Sequence, residues 1–444
     1  MKAILTSLFI HPRFFLVGGS LVGVFILSYL FPVLFPIAVA TALSFIIIFF
    51  LDIWMLYRFP SGISAKRVLP EKFSNGDPNP VEVHLNNLYP HLIRIALSDE
   101  TPYQFQIRDQ DFRLSIPSGE KDVISYDLRP VERGEYHFGV TNIFVSSPIS
   151  MIKRRYQIGK PHMVPTYPSF IQMRKYQLLA ISNRLTMAGI KKIRRLGNSS
   201  EFEQIKDYVR GDDYRTVNWK ATARTGKLMV NQFTDEKAQN IYCLLDKSRG
   251  MKMPFQGMTL LDYAINASLV LINIAINKSD KGGLVTFADK IHAHLPASNK
   301  TTHIRKVMEI LYNQESKFLE SDFHRLYSFT KRKISHRSLL VLFTNFESLN
   351  AMRRQLPYLK MLARNHLLLV VFFENTELRD LLNSSPDNIE EMYIKTIGEG
   401  FAFEKRQIVK ELETHGIASI LTPPEKLTVN SVNKYLEIKA RGMI

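Results

Sequence analysis

Two long apolar runs open the chain, and the pattern of hydrophobic positions changes twice after them. Residues 14–31 and residues 33–51 contain no charged side chain. Each run is long enough to cross a bilayer as a helix, at about 1.5 Å per residue. Pro32 and Pro36 bracket a short turn between the runs. We predict a two-helix transmembrane hairpin anchor over residues 1–58, because a cleaved signal peptide would explain only the first run.

Flanking charges predict how this hairpin is oriented. Basic residues lie before the first run and after the second, and the connecting turn has none: Lys2, Arg13, Arg58, Lys66 and Arg67. Positive charge favours the cytoplasmic side of a membrane. We therefore expect a multi-pass protein of the inner, cytoplasmic membrane whose soluble domains lie in the cytoplasm.

Period-two alternation replaces the apolar runs over residues 59–160. It is clear in residues 81–85, 93–97 and 135–140, and turn-forming clusters such as residues 74–78 separate the alternating stretches. Short alternating strands with such punctuation are typical of an antiparallel β-sandwich. No catalytic constellation is visible here, which favours a spacer or interaction module.

The last part of the chain, residues 238–444, alternates continuous apolar strands with helices. The predicted strands are residues 241–245, 283–287, 339–343, 367–373 and 417–421, and the predicted helices are residues 260–277, 304–312, 351–364, 403–413 and 429–439. Apolar strands separated by helices indicate a parallel, doubly wound sheet with both faces covered. Ligands of such sheets bind at the carboxyl ends of the strands.

Positive charge is concentrated between these two domains. The chain has a formal net charge of +17, and residues 151–237 hold 18 Lys and Arg against 7 Asp and Glu, a net of +11. We treat residues 161–237 as a separate basic segment that can contact phosphate, anionic lipid or an acidic protein. The single cysteine, Cys243, gives no sign of a disulfide-bonded secreted scaffold.

The first strand of the α/β domain ends in Asp246-Lys247-Ser248-Arg249-Gly250, which resembles the metal-binding loop of von Willebrand factor A domains. That resemblance implies a magnesium site formed by an Asp-x-Ser-x-Ser loop, a later Thr and a later Asp. Asp246 and Ser248 match, we assign Thr302 as the Thr, and Asn345 stands where the later Asp belongs. Because Gly250 and Asn345 depart from the pattern, we expect no cofactor, or weakly bound magnesium. The alternative is that Asp246 and Ser248 only bond loop backbone.

The basic segment contains the most distinctive string, EFEQIKDYVRGDDYRTVNWKATAR at residues 201–224. This string resembles the signature of domain-of-unknown-function family fifty-eight, bacterial membrane proteins with a von Willebrand factor A-like domain that are associated with MoxR-type AAA+ ATPases. The resemblance covers nearly the whole chain, and it implies an ATPase partner and unknown client proteins. We expect the signature to form a binding surface that includes Asp212, Asp213, Arg215, Asn218, Trp219, Lys220 and Arg224.

Three functional classes compete. The leading hypothesis is a non-enzymatic, membrane-tethered adaptor or assembly factor for the ATPase and its clients. The alternative is a metal-dependent hydrolase of envelope or phosphate-containing substrates, suggested by Asp212 and Asp213. Neighbouring residues on an extended chain point to opposite faces, so we expect this pair to bond Arg210, Arg215 and Arg224 instead. The third class, nucleic-acid binding, is disfavoured by the membrane anchor and the internal acids.

Overall fold

The computed structural model describes residues 6–107, 111–181, 201–209, 212, 214–234, 238–316, 318–383 and 388–443. The chain divides into two compact units, Met1–Thr166 and Tyr167–Ile444.

Two apolar helices, α1 (Pro12–Leu30) and α2 (Phe35–Tyr57), begin the first unit. A 3-10 turn at Pro32–Leu34 joins them, and both helices are long and apolar enough to span a membrane. A third helix, Leu260–Asn277, meets the same length and hydropathy criterion, but 83% of it is buried inside the second unit. Burial therefore separates a core helix from the two N-terminal candidates for membrane spans.

Antiparallel strands form the rest of the first unit. They are β1 (Leu8–Ile10), β2 (Ile63–Val68), β3 (Phe73–Ser74), β4 (Asn79–Asn87), β5 (Ile93–Asp99), β6 (Asp111–Ile116), β7 (Lys121–Leu128), β8 (Gly134–Phe138), β9 (Thr141–Ser146), β10 (Ile152–Ile158) and β11 (His162–Tyr167). The strand orders are β1-β10-β9-β5-β6, β2-β4-β7 and β3-β11-β8. Alternate side chains of β4 and β5 are buried in one shared core, as the period-two pattern predicts.

The short strand β1 precedes the first helix, yet it pairs with a strand that follows the second helix. Its register with β10 is antiparallel, with Leu8 opposite Arg154 and Ile10 opposite Ile152. The chain therefore enters and leaves the two-helix hairpin at the same set of strands.

A buried carboxylate near the end of α2 fixes this hairpin to the strands. Asp52 is fully buried, and it accepts hydrogen bonds from the backbone N–H groups of Met151 at 2.8 Å and Ile152 at 3.0 Å and from the Ser147 hydroxyl. Bonds to an ionised acceptor are stronger than neutral ones. Arg154 adds a second attachment, because its guanidinium donates to the Leu56 carbonyl at 2.6 Å in the last turn of α2.

A six-stranded sheet forms the centre of the second unit. In the described part of the unit, four strands lie outside this sheet, namely β12 (Glu201–Asp207), β13 (Met229–Thr234), β15 (Pro254–Phe255) and β16 (Met258–Thr259). The strands of the sheet are β14 (Asn240–Asp246), β17 (Lys281–Phe287), β18 (Ile291–Ser298), β19 (Leu339–Phe343), β20 (Leu367–Phe373) and β21 (Ala418–Thr422), in the order β18-β17-β14-β19-β20-β21. All pairs are parallel except β17 with β18. The antiparallel strand β18 was not predicted. It lies at one lateral edge of the sheet and returns the chain toward the start of β17.

Helices cover both faces of this sheet. One core holds α5 (Leu260–Asn277), α6 (His303–Tyr312) and α11 (Leu427–Ala440), and the other holds α7 (Phe323–Lys333), α8 (Leu349–Asn365) and the last turns of α10 (Ile389–Thr414). The unit also contains α3 (Phe170–Ile181), α4 (Trp219–Thr225) and α9 (Thr376–Asn383). The sequence pattern missed α7 and α9, and it predicted only the second half of α10. Sheet and helices together place the carboxyl ends of β14, β19, β20 and β21 along one edge.

Replacing the buried carboxylate of the first unit tests the attachment of the hairpin. We expect Asp52→Ala to leave the Met151 and Ile152 N–H groups without their acceptor, at a cost of about 2–3 kcal/mol. Amide hydrogen exchange of residues 141–158, measured by mass spectrometry on the full chain in micelles, is then at least about tenfold faster than in the native chain. Glu120→Ala, which removes an exposed carboxylate of the same unit, is the control. Unchanged exchange in Asp52→Ala would show that the carboxylate does not hold these strands.

Candidate functional site at the carboxyl edge of the sheet

Asp246 occupies the centre of this edge and connects three loops. It is the last residue of β14 and only 2% exposed. Its Oδ1 accepts from the Ser248 N–H at 2.8 Å and from the Ser321 hydroxyl at 2.5 Å, and its Oδ2 accepts from the Thr344 hydroxyl at 2.6 Å. Three separate segments therefore supply donors to one carboxylate.

Burial dominates the electrostatics of this carboxylate. Removal from water raises the pKa of Asp246, while the bonds from Ser321, Thr344 and Ser248 act in the opposite direction. A buried carboxylate is tolerated only where hydrogen bonds replace its hydration. The two hydroxyls and the N–H therefore stabilise the charged form and fix the loops in the same step.

Asn345, the amide that stands where the resemblance places a second acid, is already bonded on both sides. Its Oδ1 accepts from the ammonium of Lys405 at 2.9 Å, and its Nδ2 donates to the Gly250 carbonyl at 3.1 Å. Lys405 also donates to the Phe346 carbonyl at 2.5 Å. A cationic side chain of α10 therefore lies at this corner of the edge.

These contacts fit a magnesium ion poorly. Hard divalent cations require several free oxygen ligands, and carboxylates supply most of the affinity. Here the Asp246 carboxylate accepts three protein donors, and the Asn345 oxygen accepts from an ammonium that would repel a second cation. The other two carboxylates that line the pocket at this edge, Glu320 and Glu347, lie 3.7 Å and 3.9 Å from the guanidinium of Arg249. The donor set is that of a hydrogen-bonded loop cluster.

Thr302 lies at the other end of the sheet, so its assignment as a ligand was wrong. Strand β18 runs antiparallel to β17, and Ser298 at its end is opposite Gly282 at the start of β17. His303, which follows Thr302 in the chain, forms a hydrogen bond through its Nε2 with the Gly282 carbonyl at 2.8 Å. The unpredicted reversal at β18 thus carries Thr302 away from Asp246.

Three residues of this edge were missed as site residues from the sequence. Thr344 directly follows a buried strand, and Ser321 directly precedes Asp322, whose side chain caps the first turn of α7 through the Arg325 N–H. A hydroxyl in either place is a usable signal for a residue at the carboxyl edge. Lys405 offers no such signal, because it lies inside a helix among apolar and charged neighbours.

The signature string folds into a hairpin that carries a short helix. Strands β12 (Glu201–Asp207) and β13 (Met229–Thr234) are antiparallel, and α4 lies between them in sequence. Asn218 caps α4 by accepting from the Ala221 N–H at 3.0 Å, and its side-chain amide donates to Asn231 at 2.7 Å. Asn218 is therefore a structural residue that fastens the helix to β13.

Asp212 bonds two residues at and just after the end of β12. It forms an ion pair with Lys206 at 3.0 Å and accepts from the Val209 N–H at 3.0 Å, and both bonds lower the pKa of its carboxyl. Among the described residues, Lys206 and not Arg224 forms the ion pair with Asp212, and the expected role of Arg215 stays a prediction. Asp213 and Arg210 lie outside the described residues.

The remaining signature residues lie on the outside of the hairpin. Trp219 is 71% exposed and Tyr214 is 72% exposed, although large aromatic side chains are usually buried. Arg215, Lys220 and Arg224 are exposed beside them. We call these five residues the signature surface.

Removing one hydroxyl donor tests the role of Asp246. The pKa of Asp246 is higher in the folded protein than in the unfolded chain. The free energy of unfolding therefore falls as pH rises from the unfolded pKa, about 3.9, through the folded pKa. Thr344→Val raises the folded pKa further, so we expect it to lose about 1.5–3 kcal/mol near neutral pH and clearly less near about pH 4.5. The urea midpoint can be read from the reaction of buried Cys243 with 4,4′-dithiodipyridine.

Thr302→Val is the matched control, because it removes an exposed threonine hydroxyl at the opposite end of the sheet. It should leave the midpoint unchanged at both pH values. An equal loss for Thr344→Val at both pH values would contradict the proposed link to the charge of Asp246.

Comparison with known proteins identifies the signature. Residues 204–380 match the model of the family described as "Protein of unknown function DUF58". The uncharacterised protein YeaD of Bacillus subtilis is 25% identical over 198 residues, which are 43% of this chain and 49% of YeaD. The chain thus spans about half the length of this relative.

Solved structures similar to parts of the chain include two proteins with low identity. The von Willebrand factor A domain of SpRpn10 is 16% identical, with 44% of this chain and 95% of that domain covered at a TM-score of 0.28. The conserved hypothetical protein BatB of Bacteroides thetaiotaomicron is 12% identical, with 46% and 100% covered at a TM-score of 0.29. Residues 204–380, which include most of the signature and several strands that follow it, are thus similar to the DUF58 family.

Proposed function

We propose that this chain is a membrane-tethered adaptor with a von Willebrand factor A-like domain. In this proposal the hairpin anchors the chain in the inner membrane, and the signature surface binds a MoxR-type AAA+ ATPase in the cytoplasm, together with client proteins. Similarity to the DUF58 family favours a protein-interaction module over a catalyst. The partner itself comes from the family resemblance.

The observation that carries the proposal is the exposure of Trp219 and Tyr214 beside basic side chains. Tryptophan, tyrosine and arginine are the residues that most often dominate binding energy in protein interfaces. Lys220 and Arg224 form no ion pair within the described part of the chain. The surface therefore suits a partner that offers apolar pockets bordered by acidic groups.

Hydrogen bonds also hold the helix of this surface against β13, which favours binding. The Asn218 N–H donates to the Met229 carbonyl at 2.8 Å, and the Met229 N–H donates to the Thr222 hydroxyl at 3.0 Å. Tyr208 adds a backbone bond to Leu228 at 2.8 Å. A surface that is held in place before binding loses little conformational entropy when a partner docks.

Among the described residues, which exclude Asp213, no observation favours the alternative, a metal-dependent hydrolase. Such an enzyme needs carboxylates free to bind a metal or to activate water. Both oxygens of Asp212 are bonded, one to Lys206 and one to the Val209 N–H. The carboxylate of Asp246 is bonded in the same way by loop donors.

Membrane tethering is supported by the two N-terminal helices and by the pairing of β1 with β10. If the helices cross the membrane, this pairing requires the residues before α1 and those after α2 to lie on one side. The basic residues Arg13, Arg58, Lys66 and Arg67 at these ends favour the cytoplasmic side.

Thiol labelling in intact cells tests this topology. The only native thiol, Cys243, is fully buried, and burial raises its pKa to about 12, so it contributes little background. We expect Val33→Cys, in the turn of the hairpin, to react with a membrane-impermeant maleimide added outside. Tyr103→Cys, in an exposed part of the strand region, should react only after permeabilisation. The opposite pattern would invert the topology and exclude a cytoplasmic ATPase partner.

Binding to the ATPase tests the adaptor role directly. The full chain is placed in lipid nanodiscs, and its affinity for a purified MoxR-type ATPase of the same cell is measured with ATP, with ADP and without nucleotide. We expect binding that depends on the nucleotide and that weakens about tenfold or more in Trp219→Ala, as for a central aromatic contact.

Tyr103→Ala is the matched control, since it removes an aromatic side chain that is 84% exposed outside the signature surface. It should bind like the native chain. The adaptor proposal would be rejected if the native chain bound the ATPase in none of the three conditions, with ATP, with ADP and without nucleotide.

A further inference from the structure

A cavity of about 610 Å³ opens beside the carboxyl ends of β19, β20 and β21. Its volume lies within the range of small-molecule sites, roughly 300–1,000 Å³. Its walls are mainly apolar and aromatic: Phe255, Leu260, Phe373, Leu378, Phe401 and Leu421. An apolar wall of this size would attract an apolar molecule.

One cationic group, the ammonium of Lys405, is set into this apolar wall. Its two hydrogen bonds go to uncharged acceptors, the side-chain oxygen of Asn345 and the backbone carbonyl of Phe346. An ammonium has three N–H donors, so one remains for another acceptor. Across the described ranges no carboxylate forms an ion pair with Lys405.

The charged groups around the cavity do not neutralise this ammonium. Glu374 and Glu347 also line the cavity, but they lie 3.9 Å from the guanidinium groups of Arg379 and Arg249 respectively. Arg406, next to Lys405, bonds the Ala402 carbonyl at 3.4 Å. The cavity therefore has an excess of positive charge.

Burial penalises the charge of Lys405. Loss of water lowers the pKa of Lys405 to about 8, and the more distant Glu347 opposes this only in part. An anion bound next to the ammonium would restore the missing stabilisation of the charged form.

We propose that this cavity binds a small organic molecule with an apolar body and one carboxylate, and that Lys405 holds the carboxylate. The apolar walls receive the body, and the remaining N–H of Lys405 donates to an oxygen of the ligand. The cavity and the signature surface share no residues, so this proposal does not depend on the proposed contact with the ATPase.

Protection of Lys405 from acylation tests this site in the full chain in nanodiscs. Near pH 8 about half of the Lys405 amine is unprotonated and can react with a pulse of acetic anhydride. The probe is 4-phenylbutyrate, and 4-phenylbutanol is its neutral counterpart. We expect the carboxylate to keep Lys405 protonated and to lower its acetylation about tenfold or more, because each unit of pKa shift is a factor of ten.

The alcohol should protect Lys405 much less, and Lys410, an exposed lysine of the same helix, should react equally in all samples. Peptide mass spectrometry measures both sites. Equal acetylation of Lys405 with and without phenylbutyrate, or equal protection by acid and alcohol, would overturn the proposal.

A second measurement tests the proposal even if acetylation of Lys405 is too slow to follow. In ligand-observed saturation-transfer NMR, with empty nanodiscs as blank, Lys405→Met should lose the signal of phenylbutyrate and retain that of phenylbutanol. The retained alcohol signal shows that the cavity is intact. A phenylbutyrate signal that survives Lys405→Met would overturn the assignment of Lys405.

Discussion

The hydrogen-bonded carboxylate of Asp246 determines what the carboxyl edge of the sheet can do. Donors from the loops after β14, before α7 and after β19 converge on it. Because the carboxylate is buried, losing any one donor leaves charge without solvation. The loops are therefore held together by the same bonds that make the buried charge tolerable.

The same physical device occurs in the first unit. Asp52, near the end of the second apolar helix, accepts bonds from the backbone of residues 151 and 152. In both units a buried acid at or near the end of one element connects segments that are distant in sequence. At Asp246 the carboxylate is occupied by structural hydrogen bonds, and we therefore propose that the signature surface and the cavity around Lys405 are where other molecules bind.

Local pattern predicted much of the architecture. The charge-free runs correspond to two apolar helices, and the continuous apolar strands of the second unit begin and end within two residues of the predicted ones. The antiparallel strand Ile291–Ser298 was missed because it alternates His with apolar residues, whereas the strands of this domain were predicted from continuous apolar runs. That one omission placed Thr302 at the wrong end of the sheet, since ligand positions depend on chain direction.

The site was less predictable than the fold for a related reason. Asp246 was found because an acid at a strand end is a local signal, but its partners Ser321 and Thr344 are 75 and 98 residues away in sequence. Lys405 meets Asn345 only through the packing of a long helix against the sheet. Contacts of this kind follow from tertiary structure, which short sequence windows do not contain.

One measurement tests the central claim that loop donors, and not a divalent cation, occupy Asp246. Crystals of the protein grown with Mn²⁺ as a substitute for magnesium can be measured at a wavelength where manganese scatters anomalously. The account predicts no anomalous peak at this edge and hydroxyl oxygens of Ser321 and Thr344 within hydrogen-bond distance of Asp246. A peak at a metal–oxygen distance of about 2.0–2.3 Å from Asp246 and Ser248 would contradict it.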